Sequence, residues 1–187
     1  MLRLTGETFG EFLDVVLRNC LIADNHTQHE LISVRGGRDI GINGCTIAGN
    51  TIDSGYSIYA NVGDQGFLLV NSIIDQPGRS VLDYVGDNGL RNLGYLIANE
   101  TFTLGGAPYT QGNTPVYVDA ASGDYHLAVN SPGLDYAPSQ GGFDLDGKPR
   151  TVDLATVTNL YGPRDLGAYE RQTGTVVDVL FQDGFEF

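Results

Sequence analysis

The chain of 187 residues has no tryptophan, one methionine, one lysine and two cysteines, Cys20 and Cys45. With few strong helix formers beside 26 glycines and 12 asparagines, the composition argues against a helical bundle. Positive charge is scarce as well. Ten Lys and Arg face 23 Asp and Glu, for a formal net charge of −13, and a surface of that sign repels phosphate backbones and anionic bilayers. Neither nucleic acid nor membrane insertion is therefore expected. No apolar run is long enough to make a membrane-spanning helix. The opening Met1-Leu2-Arg3-Leu4-Thr5-Gly6-Glu7 also lacks the charged start and apolar core of an export signal, so an exported parent would carry its signal elsewhere. The hydrophobic fraction of 41% still suffices for a core.

What the sequence does contain is a repeat. Leu17-Arg18-Asn19-Cys20-Leu21-Ile22, Ile42-Asn43-Gly44-Cys45-Thr46-Ile47 and Leu69-Val70-Asn71-Ser72-Ile73-Ile74 align at offsets of 25 and 27 residues. In each, an aliphatic residue precedes a short turn, and a small residue and an isoleucine follow two apart, which is strand spacing. A second column runs through Ile32 and Val34, Ile58 and Ala60, and Leu82 and Tyr84. A third repeats Asp within two residues of a glycine at Asp39, Asp64 and Asp87, where a tight corner needs positive backbone angles. Like residues recurring every turn of about 25 predict a solenoid whose coils stack at ~4.8 Å. The expected fold is all-β, a right-handed parallel β-helix of three to four coils over residues 1–100, with Leu90 to Asn99 as an irregular fourth coil. Because coil one starts almost at Met1, the coils are expected to be capped by further N-terminal coils or by a homo-oligomer partner.

Beyond Thr101 the repeat stops, and residues 101–172 read as a non-repetitive C-terminal cap with strand-like pieces at Val116 to Val118 and Tyr125 to Val129. Four motifs follow in order: Val118-Asp119-Ala120-Ala121-Ser122-Gly123-Asp124-Tyr125-His126-Leu127, Ser131-Pro132-Gly133-Leu134-Asp135, Asp144-Leu145-Asp146-Gly147-Lys148-Pro149-Arg150, and Asp165-Leu166-Gly167-Ala168-Tyr169-Glu170. This series resembles the closing region of bacterial right-handed β-helix surface proteins, the choice-of-anchor class of pectin-lyase-like repeat proteins. The resemblance implies a secreted or cell-surface location. It does not imply an activity, since such folds carry lyases, hydrolases, adhesins and inert spacers. Residues 173–187 are similar to short C-terminal tails of such proteins, which implies sorting or attachment; physically, Val176 to Phe181 also reads as an edge strand.

Candidate chemistry is sparse. Arg35 and Arg38, with His26 and His29, are the basic cluster of the coils and are expected either to face a polyanion or to pair with Glu30 and Asp39. Asp39, Asp64 and Asp87 on neighbouring coils would repel one another, which a bound Ca²⁺ would relieve; alternatively each serves its own turn. Asp144 and Asp146 partly match a Ca²⁺ loop, but Gly142 and Pro149 break the pattern, and a turn cap with Arg150 paired to a carboxylate such as Asp165 fits better. A lyase would need a basic proton acceptor, yet the only lysine, Lys148, lies outside the coils. A hydrolase would need converging carboxylates; Asp24, Asp53 and Asp75 occupy comparable coil positions but form no Asp-Asp pair in sequence. Cys20 and Cys45 hold equivalent places on adjacent coils, either as a disulfide or as a ladder of small side chains continued by Ser72. The expectation is a non-catalytic exported module that binds a polysaccharide or host surface. The alternatives are a polysaccharide lyase or glycoside hydrolase, or a subunit of a trimeric fibre.

Overall fold

The computed structural model describes residues 1–5, 15–36, 40–87 and 90–172. Among the described residues fifteen strands run in order: β1 (Leu2–Thr5), β2 (Val15–Arg18), β3 (Leu21–Ala23), β4 (His26–Thr27), β5 (Ile32–Arg35), β6 (Ile40–Asn43), β7 (Thr46–Ala48), β8 (Thr51–Ile52), β9 (Ile58–Gly63), β10 (Phe67–Asp75), β11 (Leu82–Gly86), β12 (Arg91–Ala98), β13 (Thr110–Gln111), β14 (Tyr117–Asp119) and β15 (Asp124–Leu127). The chain is a parallel β-solenoid of about three turns. One sheet stacks β1, β5, β9 and β11, and the larger stacks β2, β6, β10, β12 and β13, with β3 and β7 extending it; β4 and β8 make a narrow third side.

The register matches the repeat. Leu17, Ile42, Leu69 and Leu93 stack in one column, as do Ile22, Ile47, Ile74 and Ala98. On the facing sheet Ile32, Ile58 and Leu82 align, and Val34, Ala60 and Tyr84 lie two residues on. These columns meet in one core, in which almost every member is buried. Each fully buried Leu, Ile or Val among them contributes ~1.5–3 kcal/mol by leaving water. The bend of the larger sheet has its own column. Asn19, Gly44, Asn71 and Tyr95 occupy successive register positions and all have left-handed backbones, with φ of 50°, 66°, 53° and 53°. Asparagine and glycine tolerate that geometry readily, whereas a tyrosine there is strained.

At the next corner Asn50 acts as a rivet between coils. Its Nδ2 donates to Ile22 O on the coil before and Ala48 O on its own, both at 2.9 Å, and its Oδ1 accepts from Asn25 N at 3.0 Å. One strand escapes the sequence reading. β1 pairs with β5 as a further layer of the smaller sheet, although no repeat motif accompanies Leu2 to Thr5.

The non-repetitive region does two separate jobs. Residues 102–111 cover the last coil, with Leu104 in the solenoid core and β13 paired to β12. Residues beyond β14 instead lie along the flank. Ile73 and Ile97 sit next to the inward columns and so point out of the solenoid. There they are buried under Leu127, Leu134, Tyr136, Leu154 and Leu166. Hydrogen bonds tie the flank to three successive coils: Tyr125 Oη donates to Asp24 Oδ1 at 2.6 Å, Ala168 N to Thr46 Oγ1 at 2.9 Å, and Gly167 N to Asn71 O at 3.0 Å. The tail 173–187 lies outside the described residues.

Ile47→Ala, in the middle of the stack, should lower unfolding free energy by ~2–5 kcal/mol. Ile22→Ala, at the half-buried equivalent position of coil one, should cost less; chemical denaturation of the two variants measures the difference.

Candidate functional site

His26, His29 and Arg35 are held by acidic or polar neighbours. His26 on β4 meets Asp53 Oδ1 at 2.9 Å through Nε2, and Arg79 donates to the Asp53 carbonyl at 2.9 Å. His29 Nδ1 lies 3.3 Å from Ser54 Oγ. Arg35, at the end of β5, pairs with Glu30 at 3.6 Å and lies 4.4 Å over the Tyr59 ring. The histidines thus sit beside the narrow third side and Arg35 at the end of the smaller sheet, each with its own partner. Arg38 and Asp39 fall outside the described residues.

Asp64 and Asp87 are exposed at neighbouring corners, and Asp64 Oδ1 accepts from Gln65 Nε2 at 2.7 Å. The carboxylates of the third motif are engaged internally. Asp144 takes Lys148 N at 2.8 Å and Glu170 N at 2.9 Å on its two oxygens, so it caps its own turn and ties the third motif to the fourth. Asp146 meets His126 Nε2 at 3.0 Å and Lys148 Nζ at 3.1 Å, and these contacts, led by His126, hold its carboxyl below the ordinary range. His126 also contacts Asp124 at 2.6 Å and stacks on Tyr169. Among the described residues no group of three or more His, Cys, Asp and Glu is set as metal ligands.

The second, third and fourth motifs converge as a buried polar network. Asp165 Oδ1 accepts Asp135 N at 2.8 Å and its Oδ2 accepts Arg171 N at 2.7 Å. Glu170 accepts Asp165 N at 3.1 Å and faces Arg150 at 3.6 Å, so Glu170 rather than Asp165 is the carboxylate nearest that guanidinium. Burial pushes Asp165 up to about 7 and Asp135 up to about 6; burial and the neighbouring Asp165 push Glu170 up to about 8. The motif residues therefore hold backbone together, and their raised proton affinity follows from burial rather than from an open reaction centre.

Cys20 and Cys45 are free thiols on adjacent coils. The hydrogen bond between them lowers the Cys20 thiol from its ordinary range and raises that of buried Cys45.

Among the described residues the largest group of rings in mutual contact lies where β12 meets the flank. Tyr95 stacks on Tyr109 with centroids 4.6 Å apart, and Tyr161 sets its edge against both and against Tyr136. Tyr109, like Tyr95, is left-handed, with φ 56°, and Tyr136 Oη donates to its carbonyl at 3.1 Å. Tyr109 remains 46% and Tyr161 40% exposed. Sequence reasoning missed this cluster because its members are 14, 27 and 25 residues apart in chain order and belong to a coil, its cover and the flank. The only signal available was the richness in tyrosine, 10 residues against no tryptophan.

Comparison with known protein families, with curated proteins and with solved structures finds no match to this chain. Among the described residues no helix is long and apolar enough to cross a membrane.

Two outcomes follow from the titrating groups. The folded chain holds the Asp165 and Glu170 protons more tightly than the unfolded chain, whose carboxyls titrate near ~4. Their contribution to stability is thus fully present below that range and is lost as the pH rises through about 7 and about 8. The melting temperature of Glu170→Gln, which keeps the oxygen that accepts Asp165 N, should fall less than that of the parent between those limits. Separately, Cys45→Ala should move the Cys20 thiol back toward ~8.5, read as slower alkylation of Cys20 near neutral pH.

Proposed function

We propose that the chain is a non-catalytic recognition module that binds polysaccharide through the Tyr95, Tyr109 and Tyr161 face. In this reading it is the closing region of an exported bacterial surface protein of the choice-of-anchor, pectin-lyase-like kind, as the order of its four C-terminal motifs suggests. The observation that carries the reading is the stacked, half-exposed tyrosine group, in which two rings are held by strained left-handed backbones. Strain of that kind persists only where surrounding structure over-determines it. Tyrosine supplies a rigid apolar face with a polar tip at small entropic cost, which suits the C–H face and hydroxyl rim of a sugar ring.

Against catalysis stands the use of the ionisable groups. Asp24 accepts a tyrosine hydroxyl, Asp53 pairs with His26, Asp75 at the end of β10 is half-buried with its carboxyl pushed up by that burial, and the raised carboxyls at 135, 165 and 170 are buried in the flank. A glycosidase needs two carboxyls on either side of an accessible bond, and a lyase needs a free basic group at the substrate.

A glycan array read beside reducing-end and unsaturated-product assays on the same polymers tests the proposal. Binding without turnover, weakened at least tenfold by Tyr109→Ala and by Tyr161→Ala, is the expected result. Turnover abolished by Arg35→Ala would replace it with an enzyme, and binding indifferent to both tyrosines would remove this face.

A further inference from the structure

A second site lies on another part of the molecule, where coils one and two meet the flank. A cleft of about 270 Å³ is bordered by Arg18, Asn19, Asn43, Phe143, Arg150 and Arg164, with the rest of the 140–143 loop at its rim. Three of the nine arginines of a chain with net charge −13 converge here.

Two of these guanidiniums are short of partners. Arg164 is 5% exposed, yet among the described residues its side chain donates no hydrogen bond and makes no ion pair, and its Nε is sealed from solvent. Arg150 is 1% exposed; its Nη2 donates to Gly167 O at 2.8 Å, while Nε and Nη1 find no acceptor and the Glu170 carboxylate stands off at 3.6 Å. Burying a guanidinium without acceptors is expensive, so such groups in a native fold call for an explanation. Burial lowers Arg164 to about 10, with Arg150 and Arg18 adding repulsion and Glu170 opposing them, so it stays charged at neutral pH. The backbone is shaped to admit it. Gly44 has φ 66°, and a Cβ there would stand 2.9 Å from Arg164 Nη2, so a larger residue would push the guanidinium aside.

The rest of the cleft is suited to something larger than a bare ion. Asn19 spends its Nδ2 on Phe143 O at 2.6 Å and Asn43 its Oδ1 on Asn71 Nδ2 at 3.0 Å, which leaves an amide acceptor on Asn19 and a donor on Asn43. Phe143 is 65% exposed and offers an aromatic wall. The volume is just below the ~300–1,000 Å³ of typical small-molecule sites and fits a single ring rather than a chain.

We propose that this cleft binds a carboxylate carried on a ring, either an acidic sugar or an aromatic acid. Arg18 and Arg164 hold the carboxylate, a geometry guanidinium suits through paired N–H donors. Phe143 lies against the ring, and Asn19 and Asn43 take its substituents. The inference does not depend on the tyrosine face, which is built from other residues.

Calorimetric titration of the full chain with glucuronate and with benzoate, beside glucose, benzyl alcohol and inorganic sulfate, tests it. Binding of glucuronate, benzoate or both, with the neutral counterparts silent, is expected, and which of the two binds identifies the source of the carboxylate. Arg164→Gln should weaken that binding at least tenfold, and Arg18→Ala and Phe143→Ala, both at exposed positions, several-fold with an unchanged melting temperature. Tyr109→Ala should leave it untouched, so loss of glycan binding at the tyrosines and loss of acid binding here are separately visible. Silence with both acids, equal binding of glucose or benzyl alcohol, sulfate bound as tightly as either acid, or affinity unchanged in an Arg18→Ala/Phe143→Ala double variant would overturn the proposal.

Discussion

The parallel register between coils is the constraint on which everything else rests. A slip by one residue in any strand would turn its inward aliphatics to the outside, and here it would also displace the left-handed column through Asn19, Gly44, Asn71 and Tyr95. Register is pinned twice over. Apolar columns hold it from within, and the Asn50 side chain holds it at the corner by bonding carbonyls of two successive coils. Since each coil is stabilised mainly by its neighbours, the least buried coil is the first, where Leu17, Cys20 and Ile22 are only half covered while their counterparts Ile42, Cys45 and Ile47 are buried.

The flank turns that stack into a single body. A solenoid alone has only nearest-neighbour contacts, but residues beyond β14 touch coils one to four in succession, through Asp24, Thr46, Asn71 and Ile97. The flank itself has little regular structure, and beside its turn and bridge bonds several of its backbone N–H groups are satisfied by the side chains of Asp135, Asp144, Asp165 and Glu170. Buried carboxylates of this sort cost desolvation and are retained for the backbone they organise. The four short motifs are thus one device, although they are scattered over fifty residues.

Charge and shape act at different ranges in this protein. A net charge of −13 discourages anionic polymers at a distance, but screening limits that field to ~10 Å at ordinary ionic strength. Within the cleft at the coil–flank junction the local balance is set by Arg18, Arg150 and Arg164. The tyrosine face is indifferent to both. Flat apolar contact and locally concentrated cation are therefore available on separate parts of one acidic surface.

The solenoid, its turn length and the register of its columns were legible in the sequence, because stacking brings residues of like type together at a constant offset that can be counted. Leu17, Ile42 and Leu69 are in register in the structure as they are in the alignment, and Arg35 meets Glu30, one of the two carboxylates the sequence offered to the basic cluster as a whole. The flank was legible only as an ordered set of motifs. That Asp144 binds Glu170, that Glu170 rather than Asp165 faces Arg150, and that Ile73 and Ile97 are covered by it were decided by tertiary packing. The same is true of both candidate sites. Tyr95, Tyr109 and Tyr161 obey no period, and Arg18 meets Arg164 across 146 positions of chain. A repeat writes its own contacts into the sequence, whereas contacts between a repeat and a non-repetitive segment depend on where the chain crosses the flank, and that path leaves no periodic trace.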